Sequence, residues 1–156
     1  MNDTKMKDNI DWNDYFMKVA EVTAKRSKDP RCKVGAVIVN PQKRIIATGY
    51  NGMPNCEHND KVFPWGKGTG MDHKKHFVIH AETNAILNAT GSLQKSRMFV
   101  TRFPCNECAK LIAQSGIKVI YYQGTIDMCE DSQYMQCASV KIFDHCGVRT
   151  KEILQL

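Results

Sequence analysis

The sequence of 156 residues has no apolar run long enough to cross a membrane as a helix. Such a helix needs about 20 mostly apolar residues in a row, and the apolar stretches here are much shorter. Residues 2–5 are polar, so the start of the chain lacks the pattern of a secretory signal peptide. We therefore expect a cytoplasmic protein with no membrane partner, in which residues 1–9 form a flexible N-terminal tail.

Long basic runs, internal repeats and the cysteine spacing of a disulfide framework are absent as well. The formal net charge is +6, but the lysines and arginines are scattered along the chain. This charge does not indicate a nucleic-acid partner, and it equally suits a phosphorylated small molecule. The seven cysteines are an odd number without the spacing of a disulfide framework. In a reducing compartment, cysteines of this kind are metal ligands or free thiols.

The composition is typical of one folded domain, which we expect at residues 10–156. Asp11 is a suitable N-cap for the first helix, and the glycines at positions 91, 116 and 147 are suitable helix stops. Apolar periodicity and turn residues predict these elements in order: helix 11–28, a hairpin of strands 34–39 and 44–48, helix 80–88, strand 98–101, helix 105–115, strand 119–122, helix 132–146 and a weak strand 148–153.

The second half of the chain alternates between strands and helices. This order predicts right-handed crossovers and a mainly parallel sheet with helices on both faces, which is an α/β fold. Ligands in such folds bind beyond the carboxyl ends of strands, and residues 103–108 lie at such an end. The polar connection 49–79 is long for a compact domain, and long loops of this kind are usually functional.

One imidazole, two thiols and a carboxylate occur in a characteristic order. They are His80 and Glu82, and then Cys105 and Cys108 directly after Pro104. Three N/S ligands leave the fourth position of a tetrahedral Zn²⁺ available for water, which is the ligand count of a catalytic zinc site. Two cysteines three positions apart share one side of a helical turn, where free amides and the helix dipole favour thiolates. Pro104 suits the start of that helix.

Glu82 is predicted to move protons rather than to bind the metal. It lies two positions after His80, so its side chain takes a neighbouring direction. A carboxyl group in a dry pocket has a raised pKa, and this suits a group that both accepts and donates protons. A C-x-x-C pair alone would also suit a redox site or half of a structural finger. A structural zinc would need a fourth protein ligand, which this motif does not offer.

This H-x-E…P-C-x-x-C order is similar to that of zinc-dependent nucleobase deaminases. Over about residues 12–122 the chain resembles the deoxycytidylate (dCMP) deaminase family. The segments that carry the resemblance are Arg26–Pro30, Val34–Ala36, Gly49–Pro54, Phe103–Lys110 and Gln114–Lys118.

The resemblance implies a three-layer αβα cytidine-deaminase-like fold, with a mixed five-stranded sheet and helices on both faces. It also implies hydrolysis of dCMP to dUMP and ammonia, which supplies dUMP for thymidylate synthesis. A catalytic Zn²⁺, a homohexamer, activation by dCTP and inhibition by dTTP are implied too, and Mg²⁺ would accompany both effectors.

The same resemblance suggests residues that contact the substrate and the effectors. Asn51, at the end of the second strand, matches an asparagine that contacts substrate, although Asn-Gly is also a common turn. Ala81 would let the base lie close to the backbone, and Arg26, together with Lys28, would contact the phosphate. Tyr134 is the candidate for the tyrosine beside the base. The predicted effector segment consists of Gly49, Tyr50, Asn51 and Gly52.

Some members of the family place an aromatic residue and a phosphate-binding arginine after the H-A-E helix. Here the corresponding stretch is 88–91, which holds neither, so another part of the chain must recognise the phosphate. Some members of the family also carry a second, structural Zn²⁺ near the long connection. Its ligands here would be Cys56, His58, His73 and His76, with Cys32 as a substitute, although these can equally be ordinary polar loop residues. Alternative functions are deamination of dCTP, of deoxycytidine or of adenosine in tRNA, and a silent zinc- and nucleotide-binding regulatory module, which would not need Glu82.

Overall fold

A computed structural model describes residues 9–124 and 130–154, and for residues 130–133 it describes the backbone alone. The predicted tail, residues 1–9, therefore lies almost wholly outside the described part. The helices and strands are, in chain order, α1 (Trp12–Ala24), β1 (Gly35–Val39), β2 (Ile45–Tyr50), α2 (Asn59–Val62), α3 (Ala81–Asn88), β3 (Arg97–Val100), α4 (Asn106–Ser115), β4 (Val119–Tyr122), α5 (Glu130–Cys146) and β5 (Arg149–Glu152).

The five strands form one mixed sheet in the order β2-β1-β3-β4-β5. Strand β1 pairs antiparallel with both β2 and β3, whereas β3–β4 and β4–β5 are parallel pairs. The predicted mixed five-stranded sheet is confirmed. The expectation of a mainly parallel sheet holds only for the second half of the chain, because the hairpin joins the sheet through antiparallel pairs.

Helices cover both faces of the sheet, and strand β1 shows this division best. All five of its residues are buried. Because successive side chains of a strand point to opposite faces, Ala36 and Ile38 pack into the larger core, which also contains residues of α3, α4 and α5. Val37 and Val39 pack on the other face with Phe16 and neighbouring residues of α1. This is the three-layer αβα arrangement that the resemblance implied.

Two glycines allow helices to lie unusually close to the hairpin. A Cβ atom at Gly35 would stand 2.1 Å from the carbonyl oxygen of Ala20 in α1. One at Gly49 would stand 2.3 Å from the amide nitrogen of Ala85 and 2.4 Å from the carbonyl oxygen of Ala81, both in α3. Gly49 therefore sets the distance between β2 and the helix that begins beside His80.

Several predicted boundaries are corrected by the structure. Asp11 is the N-cap of α1 and accepts a hydrogen bond from the amide of Asn13, but the helix ends at Ala24 and not near residue 28. Helix α3 ends at Asn88 with Ala89 as its C-cap, so Gly91 is not its stop. Gly116 is confirmed as the stop of α4, with a left-handed φ of 91°.

The long connection is not without structure. Helix α2 and two 3₁₀ turns, Gly70–Asp72 and Lys74–His76, lie within it. Gly52 and Ile79, at its two ends, exchange backbone hydrogen bonds of 3.0 and 2.8 Å. These bonds fix the entry of the chain into His80. Within the described residues, no helix is both long and apolar enough to cross a membrane.

Candidate active site

His80, Cys105 and Cys108 lie together at the start of two helices. The Nδ1 atom of His80 is 3.4 Å from each cysteine sulfur. These three ligand atoms all lie within 4.8 Å of one another, and they form the one such cluster of histidine, cysteine and acidic side chains among the described residues. The structure therefore brings together the three residues that the sequence motif selected.

The local backbone explains why these side chains converge. His80 is the N-cap of α3 and Cys105 is the N-cap of α4, both with extended dihedral angles. Neither side chain caps its own helix by a hydrogen bond, so both are available to point toward the cluster. Helix α4 begins at Asn106, so Pro104 precedes the N-cap instead of occupying the first turn.

The donor set fits Zn²⁺. Tetrahedral zinc, with Zn–N near 2.0–2.1 Å and Zn–S near 2.3 Å, holds nitrogen and sulfur ligands about 3.6 Å apart. The observed separations of 3.4 Å are close to this value. No further histidine, cysteine or acidic ligand atom completes the cluster in the described parts of the chain, so the set matches a site that keeps one position open.

The two thiols and the imidazole titrate together. A hydrogen bond from the thiol of Cys108, followed by one from the imidazole of His80, stabilises the thiolate of Cys105 and lowers its pKa to about 4. The same contact raises the pKa of Cys108, because its own thiolate would lie against that of Cys105. The hydrogen bond with Cys105 raises the pKa of His80. The cluster thus stabilises negative charge on the sulfur of Cys105, and the thiolate is the form that binds metal.

Glu82 is a buried carboxyl group beside this cluster. It lies in the first turn of α3 and is 5% exposed. Burial raises its pKa, and the nearby His80 opposes that effect only in part. A carboxyl group in such surroundings can hold a proton near neutral pH and also release it.

A cavity of about 320 Å³ opens over the cluster, and we call it the zinc cavity. This volume lies in the range of small-molecule sites. His80, Glu82 and Cys105 line it, and so do Ala81 and Asn51, two of the predicted substrate contacts. The size and the mixed apolar and polar lining suit a planar heterocycle bound next to Glu82.

Asn51 is held firmly in the cavity wall. Its side-chain oxygen accepts a hydrogen bond from the amide of Val34 at 2.8 Å. Its Nδ2 donates to the carbonyl oxygen of Cys32 at 2.9 Å and more distantly, at 3.4 Å, to Asp29. Asn51 therefore holds the segment 29–34 against the end of β2. A substrate that contacts the Asn51 amide would share that amide with these partners.

Asp29 is a buried acid of the same wall, which the sequence motifs did not select. It is 1% exposed, pairs with Lys74, and accepts hydrogen bonds from the amides of Arg31 and Cys32. Burial alone would raise the pKa of Asp29. The hydrogen bonds from Lys74 and from the two amides outweigh that effect and hold the pKa below its ordinary value. Asp29 and Lys74 thereby attach the end of the long connection to the cavity wall.

Arg26 does not lie in the zinc cavity. It lines a second cavity of about 240 Å³, which we call the loop cavity, together with Lys28, Tyr50 and Gly52. Lys28 forms an ion pair there with Asp60. The expectation that Arg26 and Lys28 contact the substrate phosphate is therefore not supported by their position.

The predicted effector segment is divided between different environments. Tyr50 and Gly52 line the loop cavity, whereas Asn51 lines the zinc cavity. Gly49 lines neither, because it is packed against the backbone of α3. The direct effector contact predicted for Gly49 is replaced by a packing role.

Tyr134 is also not where the sequence placed it. It is 81% exposed and does not line the zinc cavity, whereas its neighbours Met135 and Gln136 in α5 do. The segment 125–129 before α5 lies outside the described residues. The likeness to the family ends near Tyr122. The resemblance therefore could not tell which residue of α5 faces the cavity.

The predicted second zinc site is not assembled. Cys56, His58, His73 and His76 are all in the described part of the chain, yet they form no metal-binding cluster there. The rings of His73 and His76 are 6.4 Å apart, and His73 Nδ1 accepts a hydrogen bond from the amide of Lys75. His58 lies beside Glu57 on the exposed surface. The local turns thus direct these side chains elsewhere.

Comparison with known proteins agrees with this geometry. Residues 10–123 match the family model described as the cytidine and deoxycytidylate deaminase zinc-binding region. The chain is 47% identical to a probable deoxycytidylate deaminase of Drosophila melanogaster, over 94% of this chain and 74% of that protein. It is 44% identical to a deoxycytidylate deaminase of Homo sapiens, over 96% of this chain and 84% of that protein.

A solved structure is similar as well. The dCMP deaminase of cyanophage S-TIM5, crystallised in complex with dCMP and dUMP, superposes with a TM-score of 0.71 and 29% identity. The match covers 90% of this chain and 95% of that one. The fold, the metal cluster and these matches together show that the chain belongs to the cytidine and deoxycytidylate deaminase family of zinc-binding hydrolytic enzymes.

Proposed function

We propose that the protein hydrolyses dCMP to dUMP and ammonia, and so supplies dUMP for thymidylate synthesis. The observation that carries the proposal is the cluster of His80, Cys105 and Cys108 beside the buried Glu82, at a cavity of about 320 Å³ that His80, Glu82 and Cys105 line. The relatives named deoxycytidylate deaminase, and the similar structure that binds dCMP and dUMP, support this substrate over dCTP, deoxycytidine or adenosine in tRNA.

His80, Cys105 and Cys108 would hold the zinc ion. When bound, zinc would supply Lewis-acid activation of a water molecule. Ala81 has little bulk, which lets the cytosine ring lie close to the backbone at the start of α3. A carboxyl oxygen of Glu82 takes a proton from the attacking water and delivers protons to the ring nitrogen N3 and to the departing amino group. Water and cytosine are thereby converted into uracil and ammonia.

Steady-state ammonia release from dCMP tests this proposal. The substitution Glu82→Ala should lower kcat by roughly 10²–10⁴-fold or more, because it removes the group that moves the protons. Metal analysis should still find zinc in that variant, since Glu82 is not a ligand. Activity of Glu82→Ala equal to that of the wild type would refute the proton-transfer role, and preferred turnover of dCTP, deoxycytidine or tRNA would refute the substrate.

We also propose that dCTP and dTTP, each with Mg²⁺, regulate the enzyme from the loop cavity. The support is that Tyr50 and Gly52 of the predicted effector segment line it beside the basic Arg26 and Lys28. Ammonia release measured with each nucleotide should give a sigmoidal dCMP curve that dCTP straightens and dTTP depresses. Kinetics indifferent to both would remove this regulation, and Arg26→Ala should raise the effector concentration needed for half of the response.

The remaining expectations stay proposals. They are a homohexamer, a cytoplasmic location and one catalytic domain over residues 10–156. Light scattering of the purified protein tests the first, since a hexamer has six times the mass of the 17.7 kDa chain.

A further inference from the structure

The phosphate of a nucleotide needs a binding partner in the zinc cavity, and the family motifs leave it unassigned in this chain. Arg26 and Lys28, the basic residues expected to contact it, lie in the loop cavity. At the end of α3, Asn88 lines the loop cavity as well, and its side chain donates a hydrogen bond to the carbonyl oxygen of Thr48. The zinc cavity must therefore use other basic residues if its substrate carries a phosphate.

Three basic side chains line the described part of the zinc cavity, namely Lys74, Lys75 and Arg102. Lys74 is 15% exposed and pairs with the buried Asp29. That pair leaves the charge of the wall nearly unchanged and serves to attach the long connection. Lys75 and Arg102 are the other two basic side chains of this lining.

Arg102 lies just beyond the carboxyl end of β3, where α/β folds bind their ligands. Its Nη1 donates a hydrogen bond to the sulfur of Cys32 at 3.1 Å, and Cys32 lines the same cavity. This contact restrains the guanidinium group at the cavity wall. A guanidinium group has five N–H donors in a planar fork, which matches the geometry of phosphate oxygens.

Lys75 comes from a different segment, the 3₁₀ turn Lys74–His76. Its side chain is exposed, and its neighbour Lys74 anchors the turn to the cavity wall. A flexible ammonium group on this exposed side chain suits a phosphate bound in the same cavity as Glu82. The pair would thus provide one oriented guanidinium group and one adjustable point charge.

We propose that Arg102 and Lys75 bind the 5′-phosphate of the substrate and so select a nucleoside monophosphate over the nucleoside. This proposal rests on the proposed function and specifies how the same cavity recognises its substrate. It assigns to a residue after β3 the role that an arginine after the H-A-E helix has in some relatives.

The test compares kcat/KM for dCMP with kcat/KM for deoxycytidine. Arg102→Gln and Lys75→Gln should each lower the value for dCMP by about 10- to 100-fold, because a charge-assisted hydrogen bond is lost. The value for deoxycytidine should change by less than about 3-fold. A purely structural defect would lower both values together, so an unchanged ratio in both variants overturns the proposal. Arg102→Lys should restore part of the ratio.

Matched variants complete the experiment. Lys110→Gln removes a lysine that pairs with Glu107 on the surface of α4, and it should leave the ratio as it is in the wild type. If Arg26→Gln, and neither cavity variant, abolishes the preference for dCMP, the phosphate subsite lies elsewhere and the proposal is wrong.

Calorimetric binding of dCMP and deoxycytidine to the zinc-loaded Glu82→Ala protein, which should not turn either compound over, separates this inference from the proposed function. Failure to release ammonia from dCMP would refute the function alone. The phosphate subsite is supported if Glu82→Ala binds dCMP at least about 10-fold more tightly than deoxycytidine, and if adding Arg102→Gln or Lys75→Gln to it reduces that preference. Equal affinities of Glu82→Ala for the two compounds overturn it, whatever the activity of the wild type.

Discussion

The zinc cavity and the loop cavity are built from neighbouring residues, yet they differ in burial. Lys28 pairs with Asp60 in the loop cavity, and both side chains are well exposed. The next residue, Asp29, pairs with Lys74 in the zinc cavity and is almost fully buried. Adjacent positions of the segment after α1 therefore serve two sites. Asp29 and Glu82, two carboxyl groups with shifted pKa values, both line the zinc cavity.

The same division occurs at the end of β2. Tyr50 faces the loop cavity and Asn51 the zinc cavity, as expected for successive residues of an extended strand. A sequence motif that spans both residues therefore cannot be assigned to one site. The following substitutions test whether the two cavities are as different as their burial suggests.

The largest effect is expected from Cys108→Ser, which removes one of the three residues of the metal cluster. A hydroxyl group is a poor replacement for a buried thiolate, so zinc should be lost. Ammonia release from dCMP should fall by roughly 10⁴-fold or more, since enzymes accelerate their reactions by at least about 10⁶-fold and the metal supplies much of this. Full zinc content and full activity in Cys108→Ser would contradict the assignment of this ligand.

Gly49→Ala should disturb both cavities at once. Helix α3 begins beside His80 and also carries Asn84, which lines the loop cavity. The added Cβ would meet the backbone of α3 at 2.3 Å, which no side-chain rotation relieves. We expect a loss of about 3 kcal/mol in the free energy of unfolding, measured with urea.

The control for that substitution is Gly52→Ala. The nearest atom to its added Cβ would be a ring carbon of Tyr50 at 3.8 Å, an ordinary contact. The stability of this variant should lie within about 0.5 kcal/mol of the wild type. Equal stabilities of the two variants would mean that α3 is not held where the structure has it.

Asp29→Asn should have a smaller effect that depends on pH. The pKa of Asp29 is lowered in the folded state, so the ionised carboxylate stabilises the fold above its unfolded pKa of about 3.9. This contribution is lost as the pH falls through the lower folded pKa. At pH 7 the substitution should cost about 1–3 kcal/mol, and the difference from the wild type should shrink below about pH 4.

Asp60→Asn is the matched variant in the loop cavity. Its pair with Lys28 is exposed, and exposed ion pairs contribute about 0–1 kcal/mol. Urea unfolding at pH 7 should therefore find a clearly smaller loss than for Asp29→Asn. A larger loss for Asp60→Asn would reverse the comparison between the two cavities.

Local signals predicted most of the fold and the centre of the site. Asp11 was found as an N-cap and Gly116 as a helix stop, because capping depends on the residue itself and its immediate neighbours. His80, Cys105 and Cys108 were found because each belongs to a short motif, H-x-E or P-C-x-x-C, in which the spacing of the residues is fixed. These features need no knowledge of distant contacts.

Residues whose role depends on distant contacts were missed or misplaced. Arg26 and Tyr134 were assigned to the substrate from the family resemblance, but packing directs one to the loop cavity and leaves the other exposed. Asp29 and Lys74 were missed because their pairing spans 45 residues of sequence. Arg102 could have been selected from its place after a predicted strand, where α/β folds bind ligands.

The most direct test of the central claim is X-ray absorption at the zinc edge of the purified, active protein. The account predicts a four-coordinate ion with two sulfur ligands near 2.3 Å and two nitrogen or oxygen ligands near 2.0–2.1 Å, one of which responds when dCMP is added. A spectrum with three or four sulfur ligands, or one without sulfur, would contradict the open site formed by His80, Cys105 and Cys108.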